Sequence, residues 1–268
     1  MPALCAHGGL RQISPMPLIT TPAIVIGAIR YGETSKIVKL ATREHGVQSA
    51  IAKGAIRPKS RYGASLQLLS EGTASYLVKE NRELNILTSF DLTRQHEGLA
   101  HRLTRYAAAG ALAEITLRLA VGEPHPHSFD LLSDSLGLLE AVPDEAVDIV
   151  GLRALWRLAA SLGFTPSLDQ CARDGAPVPA EGPVAFSLAE GGVLCRACTG
   201  ERSSTELPEE ARRALRALLE EGEDPPLLDG RHLAAHRRLL SRWVRTHVMD
   251  DRELPALEFW LGEPWKAA

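Results

Sequence analysis

Between residues 22 and 90, apolar and polar positions alternate or form short β-branched runs: Ala23–Arg30, Ser35–Thr42, Val47–Lys53, Ser65–Leu69, Thr73–Lys79 and Leu84–Ser89. Turn signals at Tyr31-Gly32, His45-Gly46, Glu71-Gly72 and Glu80-Asn81 separate them. Five or six short strands in so short a stretch predict a small β-barrel. The segment Gly54–Gly63 breaks the alternation with two glycines, a proline, Arg57, Lys59 and Arg61, and predicts a projecting loop. From Thr93 the period lengthens to that of a helix. Leu99, Leu103, Tyr106, Ala107 and Gly110, then Leu112, Ile115 and Leu119, predict one long amphipathic helix. Phe129–Val142 and Glu145–Leu162 predict two more, the second opened by Pro143-Asp144. After an irregular stretch, Pro208–Glu220 and Arg231–Val248 resume helical spacing. The chain reads as an α+β multidomain protein: residues 1–20 a disordered leader, 21–92 the barrel, 93–166 and 205–268 two parts of a helical domain, and 167–204 a cysteine-bearing module inserted between them.

Composition sharpens this division. Of 268 residues, 45% are hydrophobic and 24% charged, enough to bury a real core and to exclude wholesale disorder. The net charge of −3 hides an asymmetry. Residues 1–94 carry 12 Lys and Arg against 6 Asp and Glu, whereas residues 95–268 carry 18 against 27. Between Arg30 and Arg61 stand 8 basic residues and only Glu33 and Glu44, so the barrel is built to meet an anion. No signal-peptide core and no run approaching about 18 apolar residues is present, which points to a cytoplasmic protein that makes no use of a membrane.

Cys171, Asp174, Cys195 and Cys198 form the most specific chemical pattern. Two turns of the C-x2-C kind close a tetrahedral zinc shell, and here a carboxylate takes the place of one of four thiolates. A carboxylate oxygen is an acceptable zinc ligand, so the pattern predicts one structural Zn2+ per chain, held less tightly than by four thiolates. A metal-free loop and redox thiols are the alternatives. Gly191-Gly192 supplies the backbone freedom a hairpin knuckle needs. Catalytic zinc lacks support: the deaminase pattern is absent, and His96 and His101 are five apart, which on a helix splays the rings by roughly 140°. His232 and His236 have ligand spacing but no completing acid, and read as a solvated helix face. Gly27–Gly32 has the glycine frame of a phosphate loop but continues with Glu33-Thr34, and no nucleophile elbow occurs anywhere. The chain shows no catalytic constellation.

The candidate nucleic-acid residues are Arg30, Lys36, Lys39, Lys53, Arg57, Lys59 and Arg61, with Tyr31 and Tyr62 as rings among them. A positive groove with stacking rings holds single strands without reading sequence. Tyr31 reads equally as a barrel-end packing residue, and a scaffold binding an acidic protein without DNA is the rival function. In the helical half, Arg237, Arg238, Arg242 and Arg245 form a basic stripe suited to an acidic peptide or to an extension of the DNA path.

Taken together, Gly32-Glu33-Thr34-Ser35-Lys36-Ile37-Val38, Thr42-x3-Gly46, Ala52-Lys53-Gly54-Ala55-x-Arg57-x-Lys59-Ser60-Arg61 with Leu66-Gln67, and the later Gly191-Gly192-Val193-Leu194-Cys195-x2-Cys198 resemble the RecO family of DNA repair proteins. The likeness is strong over residues 22–90 and looser beyond. It implies an N-terminal OB-fold β-barrel followed by a mostly α-helical domain with an inserted zinc-finger-like module, and no hydrolytic activity. It further implies binding of single- and double-stranded DNA, annealing of complementary strands, and action with RecR to load RecA. The strands concerned are coated by single-strand-binding protein, whose acidic C-terminal tail such proteins contact. Asp174 is the departure from the pattern.

Overall fold

The computed structural model describes residues 16–78, 84–120, 123–200, 204–222, 224–247 and 253–263. Residues 1–15 of the expected leader, the Glu80-Asn81 turn, Lys79 and Val248 lie outside them.

Five strands close a barrel: β1 (Leu18–Tyr31), β2 (Ser35–Thr42), β3 (Gly46–Ala52), β4 (Glu71–Leu77) and β5 (Asn85–Arg94), in the order β1-β2-β3-β5-β4, with β4 returning to β1. Closure comes from the length of β1. Its first half pairs with β4 from Leu18 to Ile24 and its second half with β2, past a register irregularity between Val25 and Gly27. Residues 18–20, expected in the leader, therefore belong to the barrel wall. A short parallel contact, Ala50 beside Asn85 and Ile51 beside Ile86, completes the ring and gives the OB-like order.

Alternation decides what each face meets. Val25, Val38, Leu40, Ala50, Ala74, Tyr76 and Leu87 fill the barrel. Ile24, Ile26 and Ala41 point the other way and join the helical core. The segment Ser65–Leu69, expected as a strand, is a chain of turns: Ser65 N–H donates to Tyr62 O, Ser70 N–H to Gln67 O, and Leu69 adopts φ +69°. Its apolar positions do not alternate across a sheet. Leu66 enters the barrel core while Leu69 enters the helical one.

The helical half begins with one turn, α1 (Glu97–Ala100), then α2 (Leu103–Leu119). The long helix expected from Thr93 is thus interrupted. Thr93 and Arg94 finish β5, His96 takes a left-handed conformation and Arg102 is extended. α3 (Pro126–Ala141) and α4 (Val147–Ser161) follow, the latter behind a 3-10 turn at Asp144–Ala146. α2 is the central helix, buried along Ala107, Ala108, Ala109, Ala111 and Leu112. Its small side chains permit close approach: a Cβ built on Gly151 of α4 meets the Ala108 methyl at 3.1 Å.

The inserted module holds β6 (Val184–Ser187), β7 (Gly192–Leu194), a short α5 (Arg196–Thr199) and β8 (Thr205–Leu207), in sheet order β7-β6-β8. α6 (Glu209–Leu219) and α7 (Gly230–His247) return to the bundle, and α8 (Pro255–Gly262), which periodicity did not reveal, packs Leu257 and Trp260 fully inside. Trp243 of α7 joins the parts. Its ring lies 6.1 Å from Trp156 of α4 and 6.0 Å from Phe186 of the module, and its indole N–H donates to Phe164 O. Among the described residues no helix is long and apolar enough to cross a membrane.

Candidate functional site

The β1–β2 turn and the loop after β3 meet at one end of the barrel, where the Ile56 N–H donates to Thr34 O at 2.9 Å. The loop does not project. Ala55, Tyr62 and Leu66 plug the barrel, while successive turns, Arg57 N–H to Gly54 O and Ser60 N–H to Arg57 O, present the intervening residues to solvent. Arg30, Lys53, Arg57, Lys59 and Arg61 are exposed there, and among the described residues none of them pairs with a carboxylate. Their charge faces solvent.

Besides the loop, one sequence expectation needs correction at this end. Tyr62 is no stacking ring: it is 3% exposed and donates its hydroxyl to Leu87 O at 2.7 Å, and burial raises its pKa. An apolar barrel interior with one carbonyl in reach is a better place for a phenol than the loop surface. Arg61 instead lies over that ring, 5.1 Å from its centroid. Lys36 and Lys39 do not share a face. An odd spacing on a strand puts them on opposite sides, so the Lys36 ammonium is tied to Leu66 O at the barrel end and Lys39 to the Ser49 hydroxyl outside. Tyr31 stays 53% exposed beside Arg30 at the hairpin tip.

The arginine stripe also divides. Arg238, Arg242 and Arg245 are exposed and border a groove of about 700 Å³ between α7 and α8, floored by Leu233, Ala234 and Leu261. Arg245 is bonded to Glu258 at 2.7 Å. Arg237 is 4% exposed, paired with Glu263 and Asp148, bonded to Trp260 O and stacked 4.0 Å from the Trp260 ring. It holds α8 rather than the surface, because residue 237 falls three before Leu240 on the apolar side of α7. His236 follows the same logic. Expected on a solvated face, it is 3% exposed, and burial brings its pKa down to about 4.

The metal-ligand candidates converge. The sulfurs of Cys171, Cys195 and Cys198 and a carboxylate oxygen of Asp174 all lie within 4.8 Å of one another. The Cys195 and Cys198 thiols donate to Asp174 Oδ2 at 3.4 and 3.3 Å, close to the edge of a tetrahedron with bonds of about 2.3 Å to sulfur and about 2.0 Å to oxygen. Backbone geometry builds both turns. Gly175 N–H donates to Cys171 O, Cys198 N–H to Cys195 O, and Ala176 N–H to Asp174 Oδ1, which turns Oδ2 towards the sulfurs. Gly192, at φ +153°, bears no Cβ because one would fall 2.3 Å from Ser167 O. The Ala176 N–H and then the thiols hold the Asp174 carboxyl well below its usual range, while the hydrogen bond to that carboxylate, and then burial, push the Cys198 thiol up to about 12. A divalent cation bound among them would favour the ionised form of each group and make all four anionic ligands. The donor set fits zinc.

Sequence reasoning missed the residues that set these two sites relative to each other. Arg43 in the β2–β3 turn makes two 2.8 Å bonds to Asp130 of α3. Buried Arg105 of α2 donates to Leu139, Glu140 and Val142 carbonyls, capping the end of α3. Buried Arg212 of α6 donates to Pro179 O and Ala180 O and fastens the metal module. Each partner lies at least 30 residues away along the chain, so no local pattern announces it.

Comparison with known proteins agrees with this architecture. The family described as Recombination protein O N terminal matches residues 16–96, and Recombination protein O C terminal matches residues 100–254. A DNA repair protein RecO from Rubrobacter xylanophilus is 34% identical over 87% of this chain and 92% of its own length. RecO proteins from Anaeromyxobacter dehalogenans (37%, over 68% of this chain and 71% of theirs) and Rhodopirellula baltica (34%, over 76% of each) are similar. With both halves matched and relatives covering most of its length, the chain belongs to the RecO family of DNA repair proteins.

Proposed function

We propose that this chain binds single- and double-stranded DNA through the exposed basic end of its barrel, anneals complementary strands, and helps load RecA together with RecR. The observation that carries the reading is the set Arg30, Lys53, Arg57, Lys59 and Arg61, exposed at one end of the barrel and unpaired with carboxylates among the described residues. Annealing needs no bond-making chemistry. Base pairing drives it, and a cationic surface has only to screen phosphate repulsion while two strands meet. A protein acting this way has no need of a catalytic centre. The groove beside Arg238, Arg242 and Arg245, with its apolar floor, suits the acidic, apolar-ended tail of single-strand-binding protein. The module of Cys171, Asp174, Cys195 and Cys198 holds one structural Zn2+. The protein works in the cytoplasm, at the nucleoid. Anisotropy titrations of single- and double-stranded oligonucleotides across a salt series test the central claim. A steep fall of affinity with salt supports it, and absence of binding at low salt refutes it.

A further inference from the structure

The seam between barrel and helices holds a second feature, a cavity of about 360 Å³. That is near the lower end of the range of about 300–1,000 Å³ typical of small-molecule sites, room for a single flat group rather than a strand. Gln67 and Leu69 from the barrel-plugging loop line one part of it, and Gln95, Glu97 and His101 from the β5–α2 connection, with Tyr106 of α2, line the rest.

Its chemistry is mixed in a particular way. Tyr106, in the first turn of α2, keeps 40% of its surface exposed, whereas Tyr62 and Tyr76 are sealed inside the barrel. The Gln95 side-chain N–H donates to Gln67 Oε1 at 3.1 Å in an exposed bond. That bond leaves the Gln67 amide hydrogens, the second Gln95 hydrogen and the Gln95 oxygen for a visitor. Gln67 directly follows Leu66, whose carbonyl receives the Lys36 ammonium. The amide pair therefore begins one residue from the cationic end of the barrel.

We propose that this cavity is a subsite for one unpaired nucleobase of a bound single strand, with Tyr106 as the stacking surface and the Gln67 and Gln95 carboxamides bonded to the base edge. The inference rests on the DNA-binding reading above. Every base presents a π-face, so a lone ring serves any sequence, and amides that both donate and accept tolerate several edges. The Glu97 carboxylate accepts from an exocyclic amino group. A base within a duplex cannot enter, because its faces are stacked and its pairing edge is occupied. The basic loop then grips either form of DNA, and the cavity adds affinity for single strands alone.

The test uses the full-length chain with a single strand carrying 2-aminopurine, and the matching duplex. Tyr106→Ala should weaken single-strand binding about fivefold or more, the loss of one stacked base, while leaving duplex affinity and salt dependence unchanged. Tyr106→Phe should restore it. Gln67→Ala, at an exposed position outside both cores, should lower single-strand affinity in the same selective way and alter the 2-aminopurine emission of the complex. Single-strand affinity and emission equal to the unaltered protein in both Tyr106→Ala and Gln67→Ala would overturn the subsite while leaving the DNA reading intact. An unaltered chain that binds neither strand form overturns both.

Discussion

The His96 imidazole stands 2.8 Å from Glu71 Oε1 of β4, and its other nitrogen lies 3.1 Å from Glu140 Oε2 of α3. One fully buried ring thus ties the barrel to the helical domain. Both carboxylates have further partners: Ser133 donates to Glu71, and the Gly98 N–H donates to Glu140 Oε1. Replacing the ring strands two poorly solvated acids, and a β-branched residue fits badly at φ +52°. His96→Val should cost about 3 kcal/mol in urea unfolding. His96→Asn, which tolerates the left-handed region and keeps one donor, should cost measurably less. Equal losses in the two variants would contradict the bridging role.

The same seam sets the response to acid. Burial works to raise the Glu140 pKa, but the Gly98 N–H and His96 outweigh it and hold the value below the ordinary 4.5. Arg105 similarly lowers Asp144 below 3.8. A carboxylate whose folded pKa is depressed adds stability that is fully present above its unfolded value. That stability is lost as pH falls through the folded one. Stability should therefore hold from neutral pH down to about 4.5 and fall below it, and Glu140→Gln should flatten the decline. Melting temperatures measured from pH 7 to pH 3 in both proteins check this.

Where the sequence was legible, a single period controlled the outcome. The strands of the barrel and helices α3, α4, α6 and α7 follow from alternation or 3.6-residue spacing, and the two cysteine turns from spacing alone. It failed where long-range packing overruled local pattern. Ser65–Leu69 looks like a strand because Leu66 and Leu69 are apolar, yet the two serve different cores. Tyr62 and Arg237 stand within basic segments and read as surface residues along with their neighbours. The barrel interior takes the first, and Trp260 with Glu263 takes the second. The exposed basic residues needed no such partner to be found, since charge without nearby acids is visible in the sequence itself.

The metal module offers a sharper comparison. Protein purified without chelators should contain about one zinc per chain, and removing it should loosen residues 167–200, read by hydrogen exchange, without unfolding the barrel. Asp174→Cys should hold the metal more tightly against a competing chelator, because a fourth thiolate replaces a carboxylate oxygen. Asp174→Ala should weaken it. Zinc-free protein together with an Asp174→Cys variant that also takes up none would rule the site out.

The two kinds of arginine on α7 should separate cleanly. Arg237→Ala leaves Glu263 and Asp148 short of a counter-charge in a largely buried setting and should destabilise the fold by about 3 kcal/mol. Arg242→Glu, on an exposed residue beside the α7–α8 groove, should change stability by less than about 0.5 kcal/mol. It should nonetheless weaken the acidic tail of single-strand-binding protein in calorimetry. A tail that binds Arg242→Glu as tightly as the unaltered chain would move the docking face elsewhere.

The basic loop gives the most direct test of DNA contact. Arg57, Lys59 and Arg61 are exposed, while Ala55, Tyr62 and Leu66 between and beside them hold the loop in the barrel. Charge and anchoring thus rest on different residues and can be changed separately. Replacing Arg57, Lys59 and Arg61 together with Glu should weaken DNA binding and reduce its salt slope by about two to three units, since every phosphate deprived of its cation accounts for somewhat under one unit. Single-strand and duplex binding should fall together, because phosphate contacts position a strand without reading bases. Annealing should slow in parallel. The melting temperature should move little, since exposed substitutions away from packing usually change stability by under about 0.5 kcal/mol each. Tyr62→Phe supplies the converse: it removes the bond to Leu87 O and should cost about 1 kcal/mol of stability while leaving the salt slope unchanged. A folded triple variant with unchanged affinity and slope would shift the DNA surface to the hairpin tip, where Arg30 and Tyr31 remain exposed.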